Sequence, residues 1–186
     1  RIERGSFNTS RASLLYQLPL DDDDDNSAYF AGEFYRTDGP VDAPQGLRRL
    51  NVFAKYHSHL SERASLTIDA GGFTSVWDAS GQIPQRAIDT GRIDRFGAID
   101  PLEGGGTGRQ NLNVPFRAHG RNNSDYTSRV YASWYDFKLF SNFTLFLEHP
   151  VEGDMIEQVD DRTLFGLDNT YRLYHEIAGV LAQSTF

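Results

Sequence analysis

Alternation of apolar and polar residues runs through most of this chain, and it reads as β-strand because successive side chains of a strand point to opposite faces. After a polar stretch over residues 1–10, read as loop, residues 11–20 alternate over Leu14, Tyr16 and Leu18 against Ser13 and Gln17. A second strand over 28–38 puts Phe30, Gly32 and Phe34 on one face. In the third, Val52, Ala54, Tyr56 and Ser58 alternate with Asn51, Phe53, Lys55, His57 and His59. The fourth starts at Ala64, sets Leu66, Ile68 and Ala70 against Ser65, Thr67 and Asp69, and runs on to Trp77. The fifth, 109–119, opposes Leu112, Val114, Phe116 and Ala118 to Asn111, Asn113, Arg117 and His119. The sixth, 127–148, collects Tyr131, Tyr135, Phe137, Leu139, Phe143, Leu145 and Leu147 on an apolar parity, against Trp134, Asp136, Lys138, Asn142 and Thr144. A seventh, 162–174, sets Phe165, Leu167, Tyr171 and Leu173 against Asp168, Thr170 and Arg172, and an eighth follows a turn near His175.

The connections between these segments alternate in length. They are short at 21–27, longer at 39–48, short at 61–63, very long at 78–108, short at 120–126, long at 149–161 and short near His175. An antiparallel up-and-down sheet sends alternate connections to opposite ends, and outer-membrane barrels have short periplasmic turns and longer external loops. Globular strands average about 5 to 6 residues, and several of these are roughly twice that. The predicted fold is therefore all-β, an antiparallel meander of about eight long strands forming part of a transmembrane β-barrel. Its apolar parity would face lipid and its polar parity a wet or plugged lumen, with Tyr35, Trp77 and Tyr174 at strand ends suited to interfacial girdles. The alternative is a soluble all-β module, binding carbohydrate or calcium, that buries Leu112, Val114 and Phe116 against a second sheet.

Composition narrows the choice. A net charge of −8 over 186 residues, with lysine only at 55 and 138, argues against a nucleic-acid partner, which needs clustered basic residues. The absence of cysteine excludes disulfides and thiol metal sites. No run of 18 apolar residues encodes a membrane-spanning helix, although a barrel strand needs only about 9 to 11 residues. The chain starts at Arg1 without a leader pattern and stops in a strand-like run, so truncation at both ends is expected.

Candidate chemistry concentrates in the long connection, WDASGQIPQRAIDTGRIDRFGAIDPLEGGGTGRQ, since long loops without structure of their own are usually functional or disordered. There Arg86, Arg92 and Arg95 interleave with Asp89, Asp94 and Asp100. One reading is a salt-bridge network that keeps the loop folded over the barrel mouth. The other has the arginines and Trp77 face an anionic or polar ligand, for which the planar guanidinium is suited. The candidate ligand-binding set is Trp77, Arg86, Arg92, Arg95, Asp100 and Arg109. The run Asp21 to Asp25 reads as a solvated turn ahead of a calcium site, because like charges in a block repel and a calcium loop spaces its ligands. His57 and His59 read as lumen-facing side chains with no third metal ligand in view. The GGGTG run lacks the Lys and helix of a phosphate loop, the Asn142-Phe143-Thr144 sequon sits mid-strand by this reading, and no catalytic grouping or cofactor motif is evident.

The stretches WDASGQIPQRAIDTGRIDRFGAIDPLEGGGTGRQNLN and LFSNFTLFLEHPVEGDMIEQVDDRTLFG resemble the barrel region of bacterial TonB-dependent outer-membrane receptors, in particular a subgroup carrying SGQIPQ, IDRFG and a Gly-rich stretch in this order. The resemblance covers nearly all of the chain. It implies a barrel of about 22 strands with a plugged lumen, of which residues 1–186 supply a single partial barrel domain without the plug. It also implies a non-enzymatic importer of a scarce ligand such as an iron chelate, cobalamin or a glycan. The implied partners are outer-membrane lipid, the plug domain of the same full-length chain, and the TonB complex acting through a missing N-terminal region.

Overall fold

The computed structural model describes residues 1–20, 26–121 and 123–186, with Pro19 described by its backbone alone. The Asp21 to Asp25 run lies outside the described residues. Among the described residues there are nine strands: β1 (Ile2–Arg4), β2 (Ser10–Pro19), β3 (Asn26–Thr37), β4 (Leu47–Ser61), β5 (Ala64–Asp78), β6 (Gly104–Gly120), β7 (Ser124–Asn142), β8 (Met155–Ile177) and β9 (Val180–Thr185). Each pairs antiparallel with the next, giving one open meander in chain order with β1 and β9 at its edges. The predicted all-β meander is what forms. Its strands lengthen along the chain, from 10 residues in β2 to 23 in β8.

Directly paired residues of an antiparallel ladder share a face, so the register assigns every side chain. One face carries an unbroken apolar row across seven strands: Tyr16, Phe30, Ala54, Ala70, Leu112, Ala132 and Phe165. Leu18, Ala28, Tyr56 and Ile68 form a parallel row beside it, continued on the far strands by Val114, Val130 and Leu167. The opposite face carries Ser13, Glu33, Asn51, Phe73, Arg109, Tyr135 and Arg162 in one such row.

Exposure identifies which face is outermost. Along β4 the apolar-face residues Arg48, Leu50, Val52, Ala54 and Tyr56 are exposed while the alternate ones are half-buried, so the sheet curls with its polar face inward. No second sheet covers the apolar face among the described residues; Phe165 is 82% exposed and Leu112 remains exposed. The polar face satisfies itself by cross-strand pairs. Glu33 accepts from Arg11 and Arg49, Asn113 donates to Asp69 at 3.1 Å, Ser133 donates to Asn111 at 2.8 Å, and Arg129 pairs with Asp168.

Several expectations need correction. Residues 2–4, read as loop, form β1 against β2, making nine strands where eight were expected. The glycine run 104–108 is strand and not loop: Gly105 lies flat between Trp77 and Leu139, where an added Cβ would sit 3.1 Å from Trp77 Cζ2 and 3.3 Å from Leu139 Cα. The expected sixth strand stops at Asn142, because Leu145 and Phe146 adopt left-handed backbone (φ 54° and 64°) in the turn beyond it. Its parity is also reversed. Tyr131, Tyr135 and Phe137 share the polar face with Asn113, Arg109 and Thr107, whereas Val130, Ala132 and Trp134 lie with Val114, Leu112 and Gln110. β8 starts earlier and ends later than predicted, and its turn to β9 is Ala178-Gly179, both with positive φ, as a two-residue hairpin of this kind requires. Tyr35, Trp77 and Tyr174 point to the inner face, paired with Arg49, Gly105 and Gln183. Aromatic residues near strand ends on the apolar face include Phe116, Tyr126, Phe140 and Tyr171.

Candidate functional site at the long-loop end

The connections at residues 5–9, 38–46, 79–103 and 143–154 all lie at one end of the sheet, opposite the tight turns 62–63 and 178–179. They hydrogen-bond to one another in sequence. The Asp38 N–H donates to Phe7 O at 2.9 Å, Asp42 N–H to Phe96 O at 2.9 Å, and Asp78 N–H to Gln45 O at 2.7 Å. The long connection 79–103 thus joins a continuous cap.

Within it, residues 85–89 (QRAID) form the single turn of α1 (Gln85–Asp89), entered through Pro84, whose extended backbone (ψ 133°) precedes the turn. Its exit is closed by Thr90, whose Oγ1 donates to Arg86 O at 2.9 Å. Ala87 on this turn packs with Ile99 and Leu145, and with the half-buried Ile93 and Phe146 at the margin; Ala87, Ile99 and Leu145 are the buried hydrophobic residues among the described ones. Beside this cluster is a buried polar centre. Asn142, 1% exposed, donates from Nδ2 to Asp100 Oδ2 at 2.9 Å and from its backbone N–H to Glu103 Oε1 at 2.9 Å. Its Oδ1 accepts from the Leu145 N–H at 2.9 Å, which holds the left-handed turn. Burial pushes the Glu103 carboxyl above its ordinary pKa; the Asn142 N–H opposes this and the nearby Asp100 carboxylate adds to it. An added Cβ at Gly81 (φ 64°) would meet that carboxylate, so the glycine is required for the approach.

The six residues predicted as ligand-binding do not form one group. Asp100 is buried in the polar centre, where its Oδ1 also accepts from the Leu102 N–H at 3.0 Å. Arg86 donates to Leu145 O at 2.6 Å and Thr144 O at 3.1 Å, and Arg92 lies 5.2 Å from the Phe146 ring centroid, so both tie the loop to the 143–154 turn. Arg95 is exposed. The expected salt-bridge network is absent among the described residues: Asp89 accepts from Gln85, Asp94 from the Phe96 N–H, and Arg86 and Arg92 use carbonyls and a ring. Trp77 and Arg109 stand apart from all of these, on the inner wall of β5 and β6.

Around Arg109 the register assembles residues that strand-by-strand reading left as plain wall. The Arg109 guanidinium lies 4.9 Å from the Tyr135 centroid and that of Arg162 5.4 Å from the same ring, which stacks on Phe137 at 6.5 Å. Arg162 pairs with Asp160; Arg109 has no ion pair among the described residues. A cleft of about 470 Å³ opens beside it, lined by Glu33, Asn51, Phe53, Phe73, Arg109 and Asn111. Such a mixture of guanidinium, amides, carboxylate and aromatic rings can hold a polar ligand by hydrogen bonds and stacking. His57 and His59 sit farther along the inner face, their rings 5.0 Å apart, with His57 Nδ1 2.8 Å from Thr67 Oγ1. No group of three metal-ligating side chains occurs among the described residues. The Asn142 sequon lies at the strand end, with its Asn buried and not mid-strand as expected. No protein-family model matches the chain, and no curated protein is detectably similar to it.

Proposed function

We propose that this chain is part of the barrel wall of a TonB-dependent outer-membrane receptor, importing a scarce ligand such as an iron chelate, cobalamin or a glycan. The single observation that carries this reading is the placement of the two faces. Unbroken apolar rows occupy the outer, exposed face and the polar network occupies the inner one, the reverse of a water-soluble β-sandwich. On β4 the apolar-face residues between Arg48 and Ser58 are Leu50, Val52, Ala54 and Tyr56. That run of about 9 to 11 positions suits a strand tilted about 45° through a bilayer. The ordered cap would face the outside and deliver ligand to the inner wall at Trp77, Arg109, Tyr135 and Arg162. The partners are bilayer lipid, a plug domain within the lumen, and the TonB complex acting through that plug, with no covalent chemistry by this chain.

The two tryptophans test the orientation, because Trp134 lies on the apolar outer face and Trp77 on the inner face. The full-length chain, reconstituted in bilayers with brominated acyl chains, should lose a quenchable emission component on Trp134→Phe and not on Trp77→Phe. Quenching that neither substitution alters would overturn the membrane reading and favour a soluble binding module.

A further inference from the structure

One row of the outer face stands out at the edge of its apolar belt. The ladder places Arg4, Ser10, Arg36, Arg48, Val76, Gly106 and Lys138 side by side, on the loop side of the row containing Phe34 and Leu50. Lys138 is neutralised by Glu157 at 2.6 Å. The three arginines are exposed and enter no ion pair or side-chain hydrogen bond among the described residues, whereas Arg11 and Arg49 on the inner face both pair with Glu33. Arg36 and Arg48 are also direct cross-strand partners, an arrangement of like charges that destabilises a sheet when nothing neutralises it. The acids two positions on along the same face, Asp38 and Asp78, pair with neither of them.

Resting on the membrane reading above, we infer that Arg4, Arg36 and Arg48 bind the phosphate groups of lipid headgroups in the leaflet next to the long loops. The position fits. Arg48 and Ser58 bracket the apolar run of β4, and ten residues at about 3.4 Å each, tilted about 45°, span roughly the 25 Å of a barrel's apolar band. Arg48 therefore reaches headgroup level while Leu50 and Phe34 contact acyl chains. Guanidinium forks on adjacent strands present converging N–H donors to phosphate oxygens, and a bound phosphate removes the repulsion between Arg36 and Arg48.

The test uses the full-length chain in phosphatidylcholine nanodiscs containing either phosphatidic acid or the diacylglycerol with the same acyl chains, which differ only in the phosphate. After detergent extraction, native mass spectrometry should find phosphatidic acid retained about tenfold or more over diacylglycerol. The double variant Arg36→Gln/Arg48→Gln should lose that preference, and Arg117→Gln, on the inner face, should keep it. Should the pair fail to insert, the single variants carry the test, each expected to weaken the preference. Retention by the arginine variants at the wild-type level, or no preference in the wild type, overturns the inference. Displacement of the lipid by millimolar inorganic phosphate would reassign the stripe to a free anion and likewise overturn it. The tryptophan quenching above separates the two failures: if Trp134 is quenched but the phosphate preference is missing, only the lipid site falls.

Discussion

The sheet and the cap at its long-loop end are organised by different physical forces. The nine strands enclose no buried apolar core among the described residues; continuous rows of apolar side chains stand on the exposed outer face, and the inner face, which mixes aromatic rings with polar groups, is held by ion pairs and cross-strand hydrogen bonds. The cap is built like a small water-soluble protein. It has its own apolar cluster of Ala87, Ile99 and Leu145, and a buried polar centre of Asn142, Asp100 and Glu103 with its hydrogen bonds made. The difference teaches that burial alone misjudges this fold. The sheet depends on what surrounds its outer face, whereas the cap depends on contacts 39 to 59 residues apart in sequence.

The largest effect should come from exchanging the character of the two faces. Ala132, paired with Leu112 and Phe165, lies in the middle of the apolar belt. Ala132→Arg should destabilise the bilayer-inserted protein by about 2 to 4 kcal/mol, the cost of a cation near the midplane of a barrel. Asn113→Arg, one ladder position away on the inner face beside Asp69, should cost less than about 1 kcal/mol, because it keeps an acidic neighbour. Urea titration of the full-length chain in lipid vesicles measures both. Equal costs would remove the distinction between the faces.

The cap should break on its own. Asn142→Ala removes an amide that serves Asp100 and Leu145 and leaves a buried carboxylate oxygen without its donor. An orphaned buried partner costs about 1 to 3 kcal/mol. The backbone N–H to Glu103 survives the substitution, so the loss should stay near the middle of that range and remain local. Limited proteolysis should then cut within residues 79–103 at least about tenfold faster, with the sheet's urea midpoint unchanged. A midpoint that falls in parallel would mean that cap and sheet form one cooperative unit.

Much of the sheet was legible in sequence because alternation reports which residues share a face, and on most strands the assignment agrees with the register. The reversed parity arose where aromatic residues belong to the inner face. Tyr131 and Tyr135 count as apolar, yet they stack against Arg129, Arg109 and Arg162, whose guanidinium groups favour a ring face. Only pairing with β6 reveals this, and pairing is not encoded within one strand. The candidate site was legible as a region and not as a set of contacts. Interleaved Arg and Asp suggested ion pairs, but the acids bond to nearby N–H groups, and Asp100 finds Asn142 from 42 positions away. The glycines at 104–108 suggested a loop, although in a strand they serve as the thin wall against which Trp77 packs.

The smallest effect concerns the pH dependence of the cap. Glu103 is 5% exposed, and burial raises its pKa, so its folded value lies above its unfolded value of about 4.3. A raised carboxyl pKa favours folding in the protonated form. That contribution is fully present below the unfolded pKa and is lost as the pH rises through the folded one. The cap should therefore be tighter in mild acid than at neutral pH, the opposite of what a carboxylate held by a cation would give. Hydrogen exchange over residues 79–103 should show greater protection at pH 5 than at pH 8. In Glu103→Gln the side-chain oxygen still accepts from the Asn142 N–H without carrying charge, so this slope should flatten while protection at pH 5 stays the same. A slope that persists in the Gln variant would shift its origin to another group and would leave the buried Glu103 carboxyl as a packing element of the cap alone.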